Sequence, residues 1–544
     1  MSDTSFKVVP PRTKIVTVGR PCFVLEQDNW NDYSFRTQYI LYFYPETPEG
    51  SEDVTLIGAV KILRIGQKST DDLLIHSDFE SLDDRFCSVG QSLDYYERIR
   101  ELGEAGAKVM GALRDVVSMP KLVEKFDKEE GWKTSLFRDQ SDGGARFLFL
   151  AEGLVSGHYA KAPEDQQSFT FTVVGWQSPL VVDTKSGERW AFVENCLPER
   201  VNILVGRNGT GKSTLLARLA RVGFSSPAER AEPLIKNLGK LEPEGVGFPR
   251  VVTVAFSPFD SFKLPGSDDR NRVQIAKDMQ RGVGRFSFIG LRDFVAEINL
   301  TSQEPHVPVL GESASVDRVT QTRLKSIEQL TDEFIGFRKK ITKKNRQKIL
   351  TAALSRLKEG IFSDGWVEIL QSHSEAGARE WFLMCSTGHK IALLLVFGLV
   401  ANLEPNSLVL IDEPETHLHP PLLSAMMHAL RRILQEFEAS AVVATHSPVV
   451  VQESLAQHVH VVRREGEMTT VTQVSSETFG ENIGLITAQV FGMESNVTDF
   501  HEVLDRLIAK YKSIEKIEAL FKDGMMSHQA RSYVLVRLSN EAPD

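Results

Sequence analysis

Residues 206–213, GRNGTGKS, carry the residue types that a polyphosphate needs, at the spacing it needs them. Gly206, Gly209 and Gly211 let the backbone take conformations closed to other residues, so that successive N–H groups converge on phosphate oxygens. Lys212 supplies a point charge for the β- and γ-phosphates, and the Ser213 hydroxyl is a hard oxygen ligand for Mg²⁺. Asn208, Thr210 and Thr214 belong to the same expected nucleotide-binding stretch. The chemistry this predicts is the binding of a nucleotide's phosphates with Mg²⁺.

Several elements must position that chemistry. Val201–Val205 is an apolar run of strand length, and Leu215, Leu216, Leu219 and Val222 repeat at helical spacing after the loop. The helix directs its positive end at the phosphates. A second apolar strand, SLVLIDE at Ser407–Glu413, ends in two carboxylates. Asp412 is suited to hold Mg²⁺ or its water shell, and Glu413 to take the proton of an attacking water. A third strand, in SAVVATHSP, brings His446 to its tip, where it bonds the γ-phosphate or positions that water. Lys212, Glu413 and His446 are thus the expected catalytic set, and Ser213 and Asp412 the expected metal ligands. The strand in PRVVTVAFSPFDSF ends in Ser257 and Asp260, and Asp260 either touches Mg²⁺-bound water, relays the nucleotide state or caps a turn. Ser386, Thr387 and Gly388 open an apolar helix and form a second helix-terminus anion site. His417 and His419 make an H-x-H, but two imidazoles without a third spaced ligand predict a structural or interfacial role.

The chain of 544 residues is long enough for several domains with ordinary cores. A formal net charge of −10 excludes general polyanion binding, so contact with nucleic acid requires a local patch or a partner. The four cysteines are scattered without C-x-x-C spacing, which argues against a zinc site or a disulfide framework and fits a reducing cytoplasm. No apolar run reaches membrane-spanning length, Ile391–Val400 being the nearest, and the N-terminus lacks a signal core. The expectation is a cytoplasmic protein without membrane contact.

Three regions are expected: an N-terminal α+β accessory region over residues 1–165, a nucleotide-binding domain over 166–475, and a helical segment over 476–544. Early in the chain TQYILYFYP and TLIGAVKILRIG read as a hairpin around ETPEGSED. Tyr95–Val117 shows one helical face: Ile99, Leu102, Val109, Leu113 and Val116. WKTSLFRD and ARFLFLAEGL predict a further pair of helices or strands. FTFTVVGWQSPLVV and RWAFVENCL alternate as flanking antiparallel strands, with Trp176 or Trp190 either packed in the core or set against adenine. A helical insert at 320–358 carries Arg338, Lys339, Lys340, Lys343, Lys344, Arg346 and Lys348. That cluster is either a solvated face or a patch for nucleic-acid phosphates. The C-terminal helices either cap the sheet or dock a partner.

In order along the chain, GRNGTGKS, CSTGH at Cys385–His389, LVLIDEPETHLHP and His446 resemble the motif set of ABC-type ATPases. They match the Walker A loop, the signature, the Walker B strand with its D-loop, and the switch histidine. The resemblance is to the branch holding the structural-maintenance, Rad-fifty-like and overcoming-lysogenization-defect groups, and it runs from the strands near Phe169 to the helix after His446. It implies an α/β fold, a mostly parallel sheet flanked by helices with an antiparallel β subdomain. It also implies that Ser386, Thr387 and Gly388 act in trans on nucleotide held by a second subunit, so that ATP joins a homodimer or higher oligomer. Thr387 and His389 stand where the family usually has glycine and glutamine, and the strand ending at Ser257 lacks the usual glutamine.

The N-terminal pattern LYFYPETPEG, IGAVKI and FCSVGQSLDYYERIRELG resembles the PtuA-type ATPases of Septu and retron antiphage systems. Those ATPases work with an HNH nuclease and, in retrons, with a reverse transcriptase and its msDNA-like RNA–DNA product. The resemblance therefore implies a nucleotide-gated scaffold that controls a partner nuclease. A Toprim nuclease in the same chain is not expected, because no D-x-D pair on a strand follows His446. The alternative is a DNA-repair or chromosome-maintenance ATPase that binds DNA directly, with residues 320–358 as a stub arm. A ribosome-acting ABC protein would carry two cassettes, and one is present.

Overall fold

The computed structural model describes residues 5–13, 22–29, 35–45, 54–138, 140, 142–159, 168–183, 197–266, 269–301, 317–319, 321–358, 374–491 and 499–541. It divides into two compact units, Met1–Gly480 and Glu481–Asp544. Trp190, most of RWAFVENCL and the whole ETPEGSED turn lie outside the described residues.

Five strands form the first sheet, in chain order: β1 (Phe6–Val9), β2 (Cys22–Gln27), β3 (Gln38–Tyr44), β4 (Thr55–Arg64) and β5 (Phe86–Gly90). The β1–β2 pair is parallel and each later pair antiparallel, so TQYILYFYP and TLIGAVKILRIG are the paired strands β3 and β4. Tyr39 and Leu41, two apart on β3, point into a core shared with Phe6, Ile57, Tyr95, Val109, Phe126 and Leu154. Tyr95–Val117 forms two helices rather than one, Leu93–Glu101 and Glu104–Ala112. The break falls at Gly103, whose φ of 57° no helix can contain. WKTSLFRD holds a π-helical turn at Trp132–Leu136, and ARFLFLAEGL lies in the helix Ala145–Ser156.

Seven further strands make the central sheet, in the order β11-β10-β12-β13-β8-β14-β15. They are β8 (Val201–Val205), β10 (Val251–Ala255), β11 (Phe286–Gly290), β12 (Leu408–Asp412), β13 (Ser440–Ala444), β14 (Val459–Glu465) and β15 (Met468–Gln473). All pairs are parallel except the β14–β15 hairpin. Strands buried on both faces explain why VNILV and LVLI read as runs and not as alternations. A smaller antiparallel sheet, β7-β6-β9, comprises β6 (Phe169–Val173), β7 (Leu180–Val182) and β9 (Gly239–Glu242). It shares its core with the central sheet and the helix Lys212–Phe224.

Register brings the strand ends level: Ala255 pairs with Asp412, Asp412 with Ala444, and Ala444 with Leu204. The carboxyl ends of β8, β10, β12 and β13 therefore open at one edge, where open α/β sheets bind ligands. The helix Thr387–Asn402 is buried from Ile391 to Asn402, which accounts for the longest apolar run as a core helix. Among the described residues no helix is long and apolar enough to cross a membrane.

The basic insert turns a corner between the helices Ile327–Lys343 and Gln347–Lys358, with Asn345 at φ 55°. At the corner Lys340 donates to the Gly282 carbonyl and to Asn402 Oδ1, and Lys344 pairs with Glu404 at 2.5 Å. Arg346 donates to Glu404 and to the carbonyls of Val400, Ala401 and Leu403. These cations meet the negative end of the helix Thr387–Asn402. Neither a solvated face nor a phosphate patch describes Lys340, Lys344 and Arg346, because each is committed to an internal partner. In the second unit the helices Ile483–Phe491, Asp499–Tyr511, Ile514–Glu518 and His528–Glu541 occur, with Leu504, Ile508, Ile517 and Val534 as a small core.

Candidate functional site

The phosphate loop leaves β8 at Gly206, whose φ is 152°, and passes so close to β14 that a Cβ there would stand 2.4 Å from the Val462 carbonyl oxygen. Only glycine fits. Gly211, at φ 106°, begins the helix Lys212–Phe224 and faces the Trp176 ring, which would lie 2.9 Å from an added Cβ. Trp176 is partly buried against the cassette core and touches the loop at the same time.

Lys212 is buried at the centre of the loop. Its Nζ donates to the Gly206 carbonyl at 3.0 Å and the Arg207 carbonyl at 3.3 Å, and lies 2.8 Å from His446 Nε2. An ammonium has only protons to give, so the imidazole accepts at Nε2 and carries its own proton on Nδ1. Burial holds His446 below its ordinary pKa, the Lys212 charge adds to this, and Glu413 opposes it. Burial also lowers Lys212, against the pull of Glu413, Asp412 and Glu415.

The Ser213 hydroxyl donates to Asp412 Oδ1 at 3.0 Å. Burial pushes Asp412 up to about 7; the Ser213 bond opposes the shift, while Glu413 and Asp260 add to it. A buried carboxylate crowded by other carboxylates and bonded to a hydroxyl is a hard-oxygen donor set that fits Mg²⁺. Glu413 sits at φ 47° with its N–H donated to the Ala444 carbonyl at 2.9 Å. A left-handed non-glycine residue costs roughly 1–3 kcal/mol and persists where its surroundings over-determine it. The turn carries the Glu413 carboxylate to 3.7 Å from His446 Nε2.

Asp260 turns into its own loop: Oδ1 accepts from the Phe262 N–H at 3.0 Å and from Arg292 Nη1 at 3.4 Å. It is a turn cap whose charge still acts on Asp412. Ser386 caps the helix Thr387–Asn402 by accepting from the His389 N–H at 3.3 Å, and both Ser386 and Thr387 are exposed. A Cβ on Gly388 would stand 3.1 Å from the His417 carbonyl oxygen, and burial followed by the neighbouring His419 lowers His389. The H-x-H thus backs the first turn of that helix. Among the described residues no group of three or more ligating side chains could hold a metal ion.

Lys212, Ser213, Asp412, Glu413 and His446 therefore meet at one edge of the sheet, while Ser386–Gly388 rest against the far end of the loop that starts at Glu413. One residue of this cluster escaped sequence reasoning. Glu415 accepts from the His446 N–H at 2.5 Å through Oε1 and from Thr445 Oγ1 at 2.8 Å through Oε2. In DEPE the second glutamate looks like part of a solvated turn, and its partners lie a strand and a helix away.

Residues 279–452 match the family described as "AAA domain, putative AbiEii toxin, Type IV TA system". That span takes in CSTGH, the two carboxylates and His446 but begins after the phosphate loop. Protein ea59 of Escherichia phage lambda is 29% identical, over 98% of each chain. Septu protein PtuA of Bacillus mycoides (strain KBAB4) is 21% identical over 56% of this chain and 42% of its own length, so less than half of that relative is spanned. Among solved structures, a nucleotide-free ATP-binding cassette from an ABC transporter shares 12% identity over 61% of this chain and 98% of that one, with a TM-score of 0.28. The SmcHead bound to the C-winged helix domain of ScpA shares 10% over 57% and 98%, with a TM-score of 0.26.

Proposed function

We propose that this chain, an ABC-type ATPase related to PtuA, binds ATP with Mg²⁺ and hydrolyses it at the edge formed by β8, β12 and β13. The observation that carries the reading is the convergence of Lys212 on His446 and of Ser213 on Asp412, with Glu413 beside them, on level strand ends. In this reading Gly206, Asn208, Gly209, Thr210, Gly211 and Thr214 supply donors to the phosphates. Lys212 exchanges its carbonyl and imidazole acceptors for phosphate oxygens. Ser213 and Asp412 hold Mg²⁺, which when bound neutralises charge between the β- and γ-phosphates. Glu413 accepts a proton from water as the water oxygen bonds to the γ-phosphorus and the bond to the β–γ bridging oxygen breaks. With Lys212 engaged by phosphate, His446 Nε2 can carry the imidazole proton and donate it to a γ-oxygen. Ser386, Thr387 and Gly388 serve nucleotide held by a second copy.

At the level of the system, we infer a nucleotide-gated scaffold of antiphage defence that controls an HNH-type nuclease, in a retron setting together with a reverse transcriptase and its RNA–DNA product. The relationship to PtuA supports this. The relative matched over 98% of the chain is a phage protein, which supports a phage-carried gene. Internal partners for Lys340, Lys344 and Arg346, three of the seven cations of the insert, count against the repair reading.

The test measures ATP hydrolysis and mass in solution for the wild type and Glu413→Gln, alone and with the product of the neighbouring gene. Glu413→Gln is expected to keep ATP bound, to accumulate as the larger species and to lose hydrolysis by about 100-fold or more. Normal hydrolysis by that variant removes the base assignment, and a wild type that does not bind ATP removes the reading. A stable complex with a nuclease supports the scaffold, whereas DNA binding by the protein alone favours repair.

A further inference from the structure

We infer that Glu415 positions His446, and so sets where the γ-phosphate contact lies; the inference rests on the ATPase reading above. Two turns carry the chemistry at the sheet edge, one after β12 and one after β13. They are tied together by the Glu413 N–H bonded to the Ala444 carbonyl and by the Glu415 carboxylate, which accepts from both Thr445 and His446. Thr445 is fully buried, and its hydroxyl in turn accepts from the Ser447 N–H at 2.9 Å. Its own N–H is donated to the Leu204 carbonyl at 3.0 Å, two residues before Gly206. The carboxylate thus locks the His446 backbone to the turn after β12, while Thr445 ties the same backbone to the strand that feeds the loop.

The lock matters because the imidazole has few other polar anchors among the described residues. Its recorded contacts are Lys212 Nζ at 2.8 Å and Glu413 Oε1 at 3.7 Å, and both groups have work to do on phosphate or water. What holds the ring steady through that exchange is the backbone bond to Glu415. Charge-assisted hydrogen bonds of this kind are the strong ones, and a catalytic group must be held within about 0.5 Å of its working position. Glu415 is not itself the base. Both of its oxygens are occupied by donors, while the Glu413 side chain is 40% exposed and open to water.

The test compares Glu415→Ala, Glu415→Gln, His446→Ala and the Glu415→Ala/His446→Ala double variant in the full chain. Glu415→Ala is expected to lower kcat about 100-fold and Glu415→Gln, which keeps one acceptor, about 10-fold, as partners of functional side chains do. KM for ATP stays within about threefold, because the phosphate contacts are untouched. The double variant matches His446→Ala, since Glu415 acts through that histidine. Losses that multiply in the double variant, or a KM that rises with kcat unchanged, overturn the assignment. If Glu415→Ala does not fold, Glu415→Gln takes its place in the cycle.

A second readout needs no hydrolysis. Acylation of His446 by diethyl pyrocarbonate, followed by peptide mass, is expected to run faster in the Glu415 variants because Nε2 leaves Lys212. A wild type that hydrolyses ATP while its Glu415 variants match it in kcat and labelling sinks the positioning role and leaves the ATPase reading standing. A wild type that does not hydrolyse ATP sinks that reading, and unchanged labelling then sinks the positioning role as well.

Discussion

Two neutral histidines illustrate how burial acts residue by residue. His446 is held below its ordinary pKa beside Lys212, whereas His460 lies on β14 opposite Leu204, 2% exposed and with no partner for Nε2 among the described residues. Burial, aided by His458, pushes His460 down to about 4. The folded pKa is below the unfolded value near 6.5, so between those two values the unfolded chain binds more protons. Stability is then fully present above the window and falls as pH drops through it, by about 2 kcal/mol from pH 7 to pH 5. All six tryptophans lie before residue 480, so their fluorescence in guanidinium unfolding reports on the first unit alone. His460→Phe should shrink the fall in midpoint between pH 7 and pH 5; an equal fall would assign the pH dependence elsewhere. At this scale the grouping of Lys212, Ser213, Asp412, Glu413 and His446 was legible, because the proposed phosphate chemistry calls for those types. Glu415 was not, because a glutamate in a turn has the same local look whether it faces water or a buried threonine.

Elements differ in how much local pattern they carry. The hairpin of β3 and β4 and the buried strands β8, β12 and β13 follow from apolar patterning, which depends only on near neighbours. Continuous helical periodicity across Tyr95–Val117 concealed a break, since the apolar spacing survives a change of direction at Gly103. Lys340, Lys344 and Arg346 of the basic insert misled for a different reason. A run of cations has no local sign of its partner, and here the partner is the end of another helix. Arg346→Ala removes three carbonyl contacts and leaves Glu404, 9% exposed, with Lys344 alone. It is expected to cost about 3 kcal/mol in guanidinium unfolding followed by tryptophan fluorescence. Lys348→Ala, at an exposed position of the next helix, is expected to change the midpoint by less than about 0.5 kcal/mol. Equal effects of the two would show that the corner is not a structural clamp.

Over the whole molecule, the N-terminal sheet and the cassette fall within one compact unit. Buried ion pairs join them: Arg98 with Asp278 at 3.1 Å, Arg250 with Glu97 at 2.5 Å, and Arg285 with Asp94 at 2.7 Å. All three place the helix Leu93–Glu101 against cassette residues, so that the two regions are expected to unfold together. The second unit has its own small core. A chain ending at Gly480 should therefore keep the unfolding midpoint and ATP affinity of the full chain, measured by fluorescence and by nucleotide titration. A truncated chain that unfolds at lower denaturant would mean that the two units stabilise each other.

By itself the sequence determined the phosphate loop, the paired carboxylates on their strand, the histidine at the next strand tip and the α/β class. Each depends on residue types within a few positions of one another, and backbone periodicity carries the rest. Only the tertiary structure decided what Glu415 holds, what the basic corner neutralises and how the N-terminal region is attached. Those partners lie 31, 58 and 180 residues apart in the cases of Glu415 with His446, Arg346 with Glu404, and Arg98 with Asp278. At such separations no local pattern selects one partner among many charged residues. Packing selects it, because a buried charge is stable only where the fold brings its complement within hydrogen-bonding distance.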